Sequence, residues 1–287
     1  MKQLLILSGK GGTGKTTIAS AFIQLSGVKA YADCDVDAPN LHLVLKQTAQ
    51  VQRTDYYGMK TARINPELCI KCGRCAENCR FQAVKEEDPF AVDPYACEGC
   101  GLCQVLCPAG AVSLVPNIAG ELMLDTGNGK VFSTAQLKMG SGTSGKLVRE
   151  VKKQMKAAAS SADVAVIDGS PGIGCPVIAS LNGVNLVLIV AEPSVSGISD
   201  KERIIRTAKL LHIRLAVCIN KADVNIDKSE EIESFCREHE IPFVGRIPYD
   251  ASAVSAINSG LTITDIDCPA GRAARCVYEK TFQLLNS

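Results

Sequence analysis

The sequence carries almost no net charge: 31 Lys and Arg stand against 30 Asp and Glu in 287 residues. The basic excess that marks a nucleic-acid-binding surface is missing, so no nucleic-acid partner is expected. No stretch approaches the roughly 18 apolar residues that cross a bilayer, so no membrane span is expected. The opening apolar run, Leu4–Leu7, is too short for a secretory signal and leads straight into a glycine loop. These absences point to a soluble, cytoplasmic protein. The three histidines, His42, His212 and His239, have no partners at metal-ligand spacing. Apolar residues, at 46%, suffice for a sizeable core, and the length suits one large domain plus a small one.

Cysteine, by contrast, is abundant, with 14 in the chain. In a reducing cytosol such residues are metal ligands or buried apolar groups rather than disulfides. Eight of them form a repeat, Cys69-x2-Cys72-x2-Cys75-x3-Cys79 and Cys97-x2-Cys100-x2-Cys103-x3-Cys107-Pro108. This is the spacing of bacterial two-[4Fe–4S] ferredoxins, in which a tight loop wraps three corners of a cubane and the fourth ligand comes from the other half. Cluster one is then expected on Cys69, Cys72, Cys75 and Cys107, and cluster two on Cys97, Cys100, Cys103 and Cys79. The rival is a pair of zinc sites, which calls for two separated C-x2-C pairs. The crowded triplets, with Gly73, Gly99 and Gly101 among them, favour the clusters. Arg80 stands where the first repeat would carry proline; it adds positive charge near a cluster and removes no ligand. The other six cysteines (Cys34, Cys175, Cys218, Cys236, Cys268, Cys276) are scattered.

Residues 2–8 read as a buried strand, Lys15–Leu25 as a helix and Val28–Asp33 as a second strand. From about Met59 to Val115 helical periodicity is weak and Cys, Pro and Gly are dense. This predicts an inserted ferredoxin-like α+β domain at 59–116, dividing the remainder into 1–58 and 117–287. A hairpin is expected from Glu121–Leu124 and Lys130–Phe132, then a helix over Ser144–Ala158. Strands at Val164–Asp168, Leu186–Ala191, Leu215–Asn220 and Pro242–Arg246 alternate with helices near Asp200–Leu211 and Lys228–His239. A final helix spans about Ala270–Leu285. Short apolar strands alternating with helices predict an α/β fold with a doubly wound, mostly parallel sheet. Ligands of such sheets sit at the carboxyl ends of the strands.

Gly9-Lys10-Gly11-Gly12-Thr13-Gly14-Lys15-Thr16 fits G-x4-G-K-[ST], between a strand and a helix as a phosphate loop requires. Its glycines let backbone N–H groups turn inward around phosphates at a helix N-terminus. Lys15 is expected on the β- and γ-phosphates of ATP, Thr16 on Mg²⁺ through its hydroxyl, and Thr17 in the same nucleotide-binding turn.

Lys10 to Thr16 also resembles the deviant Walker A motif of the MinD/ParA/Mrp family of P-loop ATPases, and the resemblance covers nearly all the chain outside the insert. It implies an ATP-sandwich homodimer in which Lys10 reaches the partner subunit's nucleotide, much as an arginine finger does. It further implies a switch I segment at Ala32-Asp33-Cys34-Asp35-Val36-Asp37. There Asp35 orients or deprotonates the attacking water and Asp33 holds a Mg²⁺-bound water; Asp37 has no assigned role. Asp168, ending an apolar strand, is the Walker B carboxylate. Gly172, in Gly169-Ser170-Pro171-Gly172, is the switch II γ-phosphate sensor. Asn220 faces the adenine, with Pro248 of Ile247-Pro248-Tyr249-Asp250 covering its other side. Cys175 follows Asp168 by seven residues, the offset of a cluster-ligating cysteine in the related nitrogenase iron protein. The plainer reading of Cys175 is a small buried residue in a Gly/Pro-rich turn.

Together the motifs resemble MinD-superfamily ATPases with an inserted ferredoxin domain. The function this implies is a Mg²⁺-dependent ATPase, slow without a partner, that gates electron transfer to or from a redox protein. An alternative is an ATPase for iron–sulfur or metallocofactor assembly. Mrp-type carriers hold a labile cluster on a C-terminal C-x-x-C, whereas Cys268 and Cys276 here are eight apart. A membrane- or DNA-positioning role like that of MinD and ParA is disfavoured by a tail, Val277–Leu285, with Lys280 as its one lysine.

Overall fold

Along Lys2–Ser8 (β1), Leu4 and Ile6 face one side and Leu5 and Leu7 the other, and all four are fully buried. Side chains alternate across a strand, so a strand apolar on both faces must lie between two layers. The two faces feed separate cores. The structure is a computed structural model that describes residues 1–45 and 51–287, with backbone alone for 195–201. Part of the expected 1–58 segment, residues 46–50, therefore lies outside the described residues.

After β1 come Lys15–Ser26 (α1), Ala30–Asp33 (β2), Leu41–Val44 (α2) and Val51–Tyr57 (β3). The cysteine-rich stretch holds Thr61–Ile64 (β4), Arg74–Glu77 (α3), Val84–Lys85 (β5), Ala91–Val92 (β6), Leu102–Leu106 (α4) and Val112–Val115 (β7). Then follow Ile118–Asp125 (β8), Val131–Leu137 (β9), Ser144–Ala158 (α5), Val164–Pro171 (β10), Cys175–Leu181 (α6) and Leu186–Ala191 (β11). Val195–Leu210 (α7), Arg214–Asn220 (β12), Ile226–Glu238 (α8), Phe243–Ile247 (β13), Ala251–Asn258 (α9) and Pro269–Asn286 (α10) complete the chain.

Nine strands form one sheet in the order β13-β12-β11-β1-β10-β2-β9-β8-β3. Every pairing from β13 to β9 is parallel; β8 alone runs against both its neighbours. Helices α5 to α8 pack on one face, and α1, α2 and α10 on the other. The doubly wound, mostly parallel sheet is therefore present. The chain enters at β1 and later places β10 and β11 on its two sides, so the end of β1 is the topological switch point where such folds bind ligands.

Several boundaries differ from the sequence reading. The second strand begins at Ala30, because Gly27 (φ +60) caps α1 by donating its N–H to Ile23 O at 3.1 Å. The hairpin strands β8 and β9 are longer than expected, and α2, β3, α6 and α9 are additions.

The direction of β8 decides where the cysteine-rich stretch sits. Because β8 is antiparallel to β9 and to β3, β3 runs with the parallel strands and delivers Tyr57 to their carboxyl edge. The chain returns at Ile118, which pairs with Tyr57. Between these partners lie two small antiparallel ladders, β4–β7 and β5–β6, separate from the large sheet. Among the described residues no helix is long and apolar enough to cross a membrane.

Candidate functional site

The cysteine repeat is a structural repeat. In each half a glycine with positive φ follows the second cysteine and opens a short helix bearing the third: Gly73 (φ 75) before Cys75 and Gly101 (φ 79) before Cys103. In each half the N–H four residues past the last cysteine points at its sulfur. Ala83 N lies 3.3 Å from Cys79 Sγ, and Ala111 N lies 3.3 Å from Cys107 Sγ. Ala62 N donates to Cys97 Sγ at 3.4 Å. Such N–H groups stabilise thiolates over thiols. Burial pushes the Cys75 thiol up, and Cys69 and Cys72 beside it add to that; burial likewise raises Cys103, with Cys97 and Cys100 beside it. A cavity of about 290 Å³ is lined by Cys97, Cys100 and Cys103 together with Cys79 and Cys75 of the other half. All eight are free cysteines. Among the described residues no three potential ligands converge as they would on a single metal ion.

At the carboxyl edge of the sheet, residues 9–14 turn from β1 into α1. Gly14 has φ +86, a left-handed backbone that favours glycine, and a Cβ there would lie 2.2 Å from Asn220 Nδ2. Lys15 Nζ lies 2.5 Å from Asp168 Oδ1, and Thr16 donates its hydroxyl to Asp168 Oδ2 at 2.6 Å. Lys15 is 6% exposed and Asp168 fully buried. Burial alone would lower the Lys15 pKa, but Asp168 outweighs it and the net shift is upward.

Asp33, also fully buried, accepts N–H groups from Asp35 (3.0 Å), Asn40 (2.9 Å) and Leu41 (3.0 Å). Burial, reinforced by Asp168, pushes it up to about 7, with Lys15 and the backbone donors opposing. Asp35 rises to about 6, again mainly through burial. Three carboxylates thus converge on one buried ammonium. Among the described residues these carboxylates do not meet as three direct ligands of one ion; hard oxygen donors of this kind suit a Mg²⁺ that keeps several of its waters. Asp37 is exposed, and Cys34 points into the core with its thiol pushed up to about 12 by burial.

The Gly172 N–H donates to Ser8 O at 3.0 Å, tying the segment after β10 to the root of the glycine loop. Asn220 Nδ2 donates to Thr13 O at 2.7 Å. A second cavity of about 290 Å³ is lined by Gly12, Gly14, Thr17, Asn220, Pro248 and Tyr249.

A model of the CobQ/CobB/MinD/ParA nucleotide binding domain (CbiA) matches residues 4–263. The chain belongs to this family. P-loop ATPases of the MinD/ParA group hydrolyse ATP. The chain is 30% identical over 285 residues to the uncharacterized protein MJ0578 of Methanocaldococcus jannaschii, covering 97% of this chain and 95% of that one. The Mg-ADP complex of the septum site-determining protein MinD from Pyrococcus horikoshii superposes with a TM-score of 0.60 over 99% of this chain and 96% of its own. At 16% identity that likeness is one of fold. A 54-residue stretch, 18% of the chain, is 37% identical to a 7Fe ferredoxin of Hydrogenibacillus schlegelii, covering 69% of that protein.

Within this MinD/ParA-like ATPase, one network escapes sequence reasoning. Glu192, just past β11, lies 2.8 Å from Lys10 Nζ and 3.2 Å from Lys221 Nζ. Lys10 also reaches Ser194 Oγ at 3.0 Å, and Lys221 reaches Gly12 O at 2.9 Å. Burial would raise the Glu192 carboxyl, but the two ammonium groups hold it below its usual range. The available signal was a lone carboxylate closing a wholly apolar strand beside the switch point. Cys175 corrects an expectation: it is exposed rather than buried, because it opens α6 on the loop after β10 instead of facing the sheet.

Proposed function

We propose that this chain is a Mg²⁺-dependent ATPase that couples its nucleotide state to two [4Fe–4S] clusters held by residues 59–116. In this reading it gates electron exchange with a partner protein. The observation that carries the proposal is the shared edge. The cysteine-rich stretch leaves and rejoins the sheet at the carboxyl ends where residues 9–16, 33–35 and 168–172 gather.

The cysteine set fits the clusters. Eight free thiols fall as two triplets with Cys79 and Cys107 after them, N–H groups point at Cys79, Cys97 and Cys107, and Cys79 lines, with Cys75, the cavity of Cys97, Cys100 and Cys103. A cubane spreads its thiolates over separate corners, so convergence on one point is not required of them. Similarity to a ferredoxin over part of the chain agrees with this reading. Clusters one and two would use the sets given above, and when bound they supply one-electron chemistry.

In the nucleotide site, Lys15 and the N–H groups of residues 11–16 bind phosphate, and Thr16, Asp33 and Asp168 hold Mg²⁺, partly through water. Asp35 orients the attacking water, while Asn220 and Pro248 flank the base. Lys10 acts across a homodimer interface.

The test is anaerobic. The reduced protein is mixed with an oxidised electron acceptor and with an apo-acceptor protein, each with and without ATP. Nucleotide-dependent reoxidation at constant iron content is expected; ATP-dependent loss of iron to the apo-protein would replace this reading with a cofactor-assembly ATPase.

A trans role for Lys10 requires it to leave Glu192. That ion pair is partly exposed and holds about 0.5–1 kcal/mol. Two such pairs break per homodimer, so Glu192→Gln should raise the ATP-dependent dimerisation constant by about 5- to 30-fold. Sedimentation velocity across an ATP series measures this, and an unchanged or smaller constant would rule Glu192 out as a restraint.

A further inference from the structure

The two halves of the cysteine-rich stretch are not equally attached to the ATPase. The second half is braced through residues 58–62. A Cβ at Gly99, between Cys97 and Cys100, would lie 2.0 Å from Lys60 O, so the loop lies directly on that carbonyl. Two residues on, the Ala62 N–H donates to Cys97 Sγ at 3.4 Å. The same strand root rests on the start of α5. A Cβ at Gly58 would lie 3.0 Å from Thr143 Oγ1, and Lys146 Nζ reaches Met59 Sδ at 3.2 Å. Two exposed side chains lie beside the loop before α5, each with room for a methyl group between: a Cβ at Gly140 would lie 3.6 Å from the Tyr95 ring, and one at Gly142 3.5 Å from the Glu98 carboxylate.

The start of α5 in turn touches the segment after β10. A Cβ at Gly145 would lie 3.1 Å from Cys175 O and 3.2 Å from Cys175 Cβ. Helices α5 and α6 are locked further along. Leu147, Val148 and Val151 share a core with Val177 and Leu181, and Lys152 Nζ donates to Ser180 O (2.5 Å) and Asn182 O (2.7 Å) at the end of α6. Between α5 and α6 the contacts are those of a packed core, where a shift of one element displaces the next. The first cysteine loop has a different setting: Lys71 pairs with Asp88 inside the same stretch.

We propose that residues 138–146 transmit the state of the 169–175 segment to residues 58–62, and through them to the loop Cys97–Cys103. The second cysteine loop is then the nucleotide-responsive half and the first is not. This rests on the reading of residues 9–16 and 168–175 as the ATP site.

Hydrogen–deuterium exchange on the full-length, anaerobically purified protein tests it, comparing Mg²⁺ alone with Mg²⁺ and a non-hydrolysable ATP analogue. Exchange should change at 9–16 and 172–178, and also at 97–104, with little change at 69–76. A Met59→Ala, Tyr95→Ala, Glu98→Ala variant removes three exposed contact side chains. It should keep the response at 172–178 and lose at least half of that at 97–104. A response at 172–178 without one at 97–104, an equal response in both cysteine loops, or a variant indistinguishable from wild type would overturn the proposal. No response at 9–16 and 172–178 would instead overturn the ATP-site reading, and this inference with it.

Discussion

Lys15→Ala should lose Mg²⁺-ATP binding by at least about 100-fold and ATP hydrolysis with it, because charge-assisted contacts to phosphate in a dry site are the strongest available there. The structure adds a second expected loss. Lys15 is the ammonium within 2.5 Å of a fully buried Asp168, and Asp33 stands close enough to feel both charges. Removing one partner of a buried pair costs about 3–5 kcal/mol, so Lys15→Ala should also melt earlier. Lys15→Gln separates the effects: it retains an N–H donor for Asp168 and should fold, yet still fail to bind. Circular dichroism reports the fold and titration calorimetry the binding. Near wild-type affinity in a folded Lys15→Gln protein would show that residues 9–16 are not the phosphate site.

The second large effect concerns ligand crossing. Cys79→Ser should lower bound iron from about 8 to about 4 atoms per chain, one cubane lost and one kept. Cys79 follows the first triplet in sequence but lines, as Cys75 does, the cavity of Cys97, Cys100 and Cys103. On the proposed cluster sets, which put both on one cluster, combining it with Cys97→Ser should cost no further iron. Combining it with Cys69→Ser should remove nearly all of it. The opposite pattern, additive with Cys97→Ser and non-additive with Cys69→Ser, would place Cys79 on the cluster of its own triplet. Iron analysis of anaerobically prepared protein distinguishes the two patterns.

What the sequence made legible follows from how each element is buried. Strands β1, β10, β11 and β12 are covered on both faces, so they appear as unbroken apolar runs. Strand β3 was missed because it is a sheet edge: Tyr56 is its one buried residue, and Arg53 pairs across to Glu121 as edge strands with charged faces do. Helices α6 and α9, of 7 and 8 residues, are too short for a periodicity to stand out. The glycine loop and the cysteine repeat were readable because their spacing is local. Glu192 was not, since its partners Lys10 and Lys221 lie far away in the chain and meet it only where β11 and β12 bring three strand ends together. Cys175 was misjudged for a related reason: sequence showed its neighbours Gly174 and Pro176 but not that the turn faces outward.

The antiparallel course of β8 has a consequence for how such a protein is assembled. Tyr57 and Ile118 are cross-strand partners, so the sixty residues between them enter and leave through two adjacent backbone positions. A two-residue turn closes an antiparallel pair. The cysteine-bearing stretch therefore has the attachment of a detachable cartridge: cut out and bridged by Asn-Gly, it would leave the β3–β8 pairing and the hydrogen bonds of the glycine loop in place and release the contacts it makes with the start of α5, Lys146 to Met59 among them.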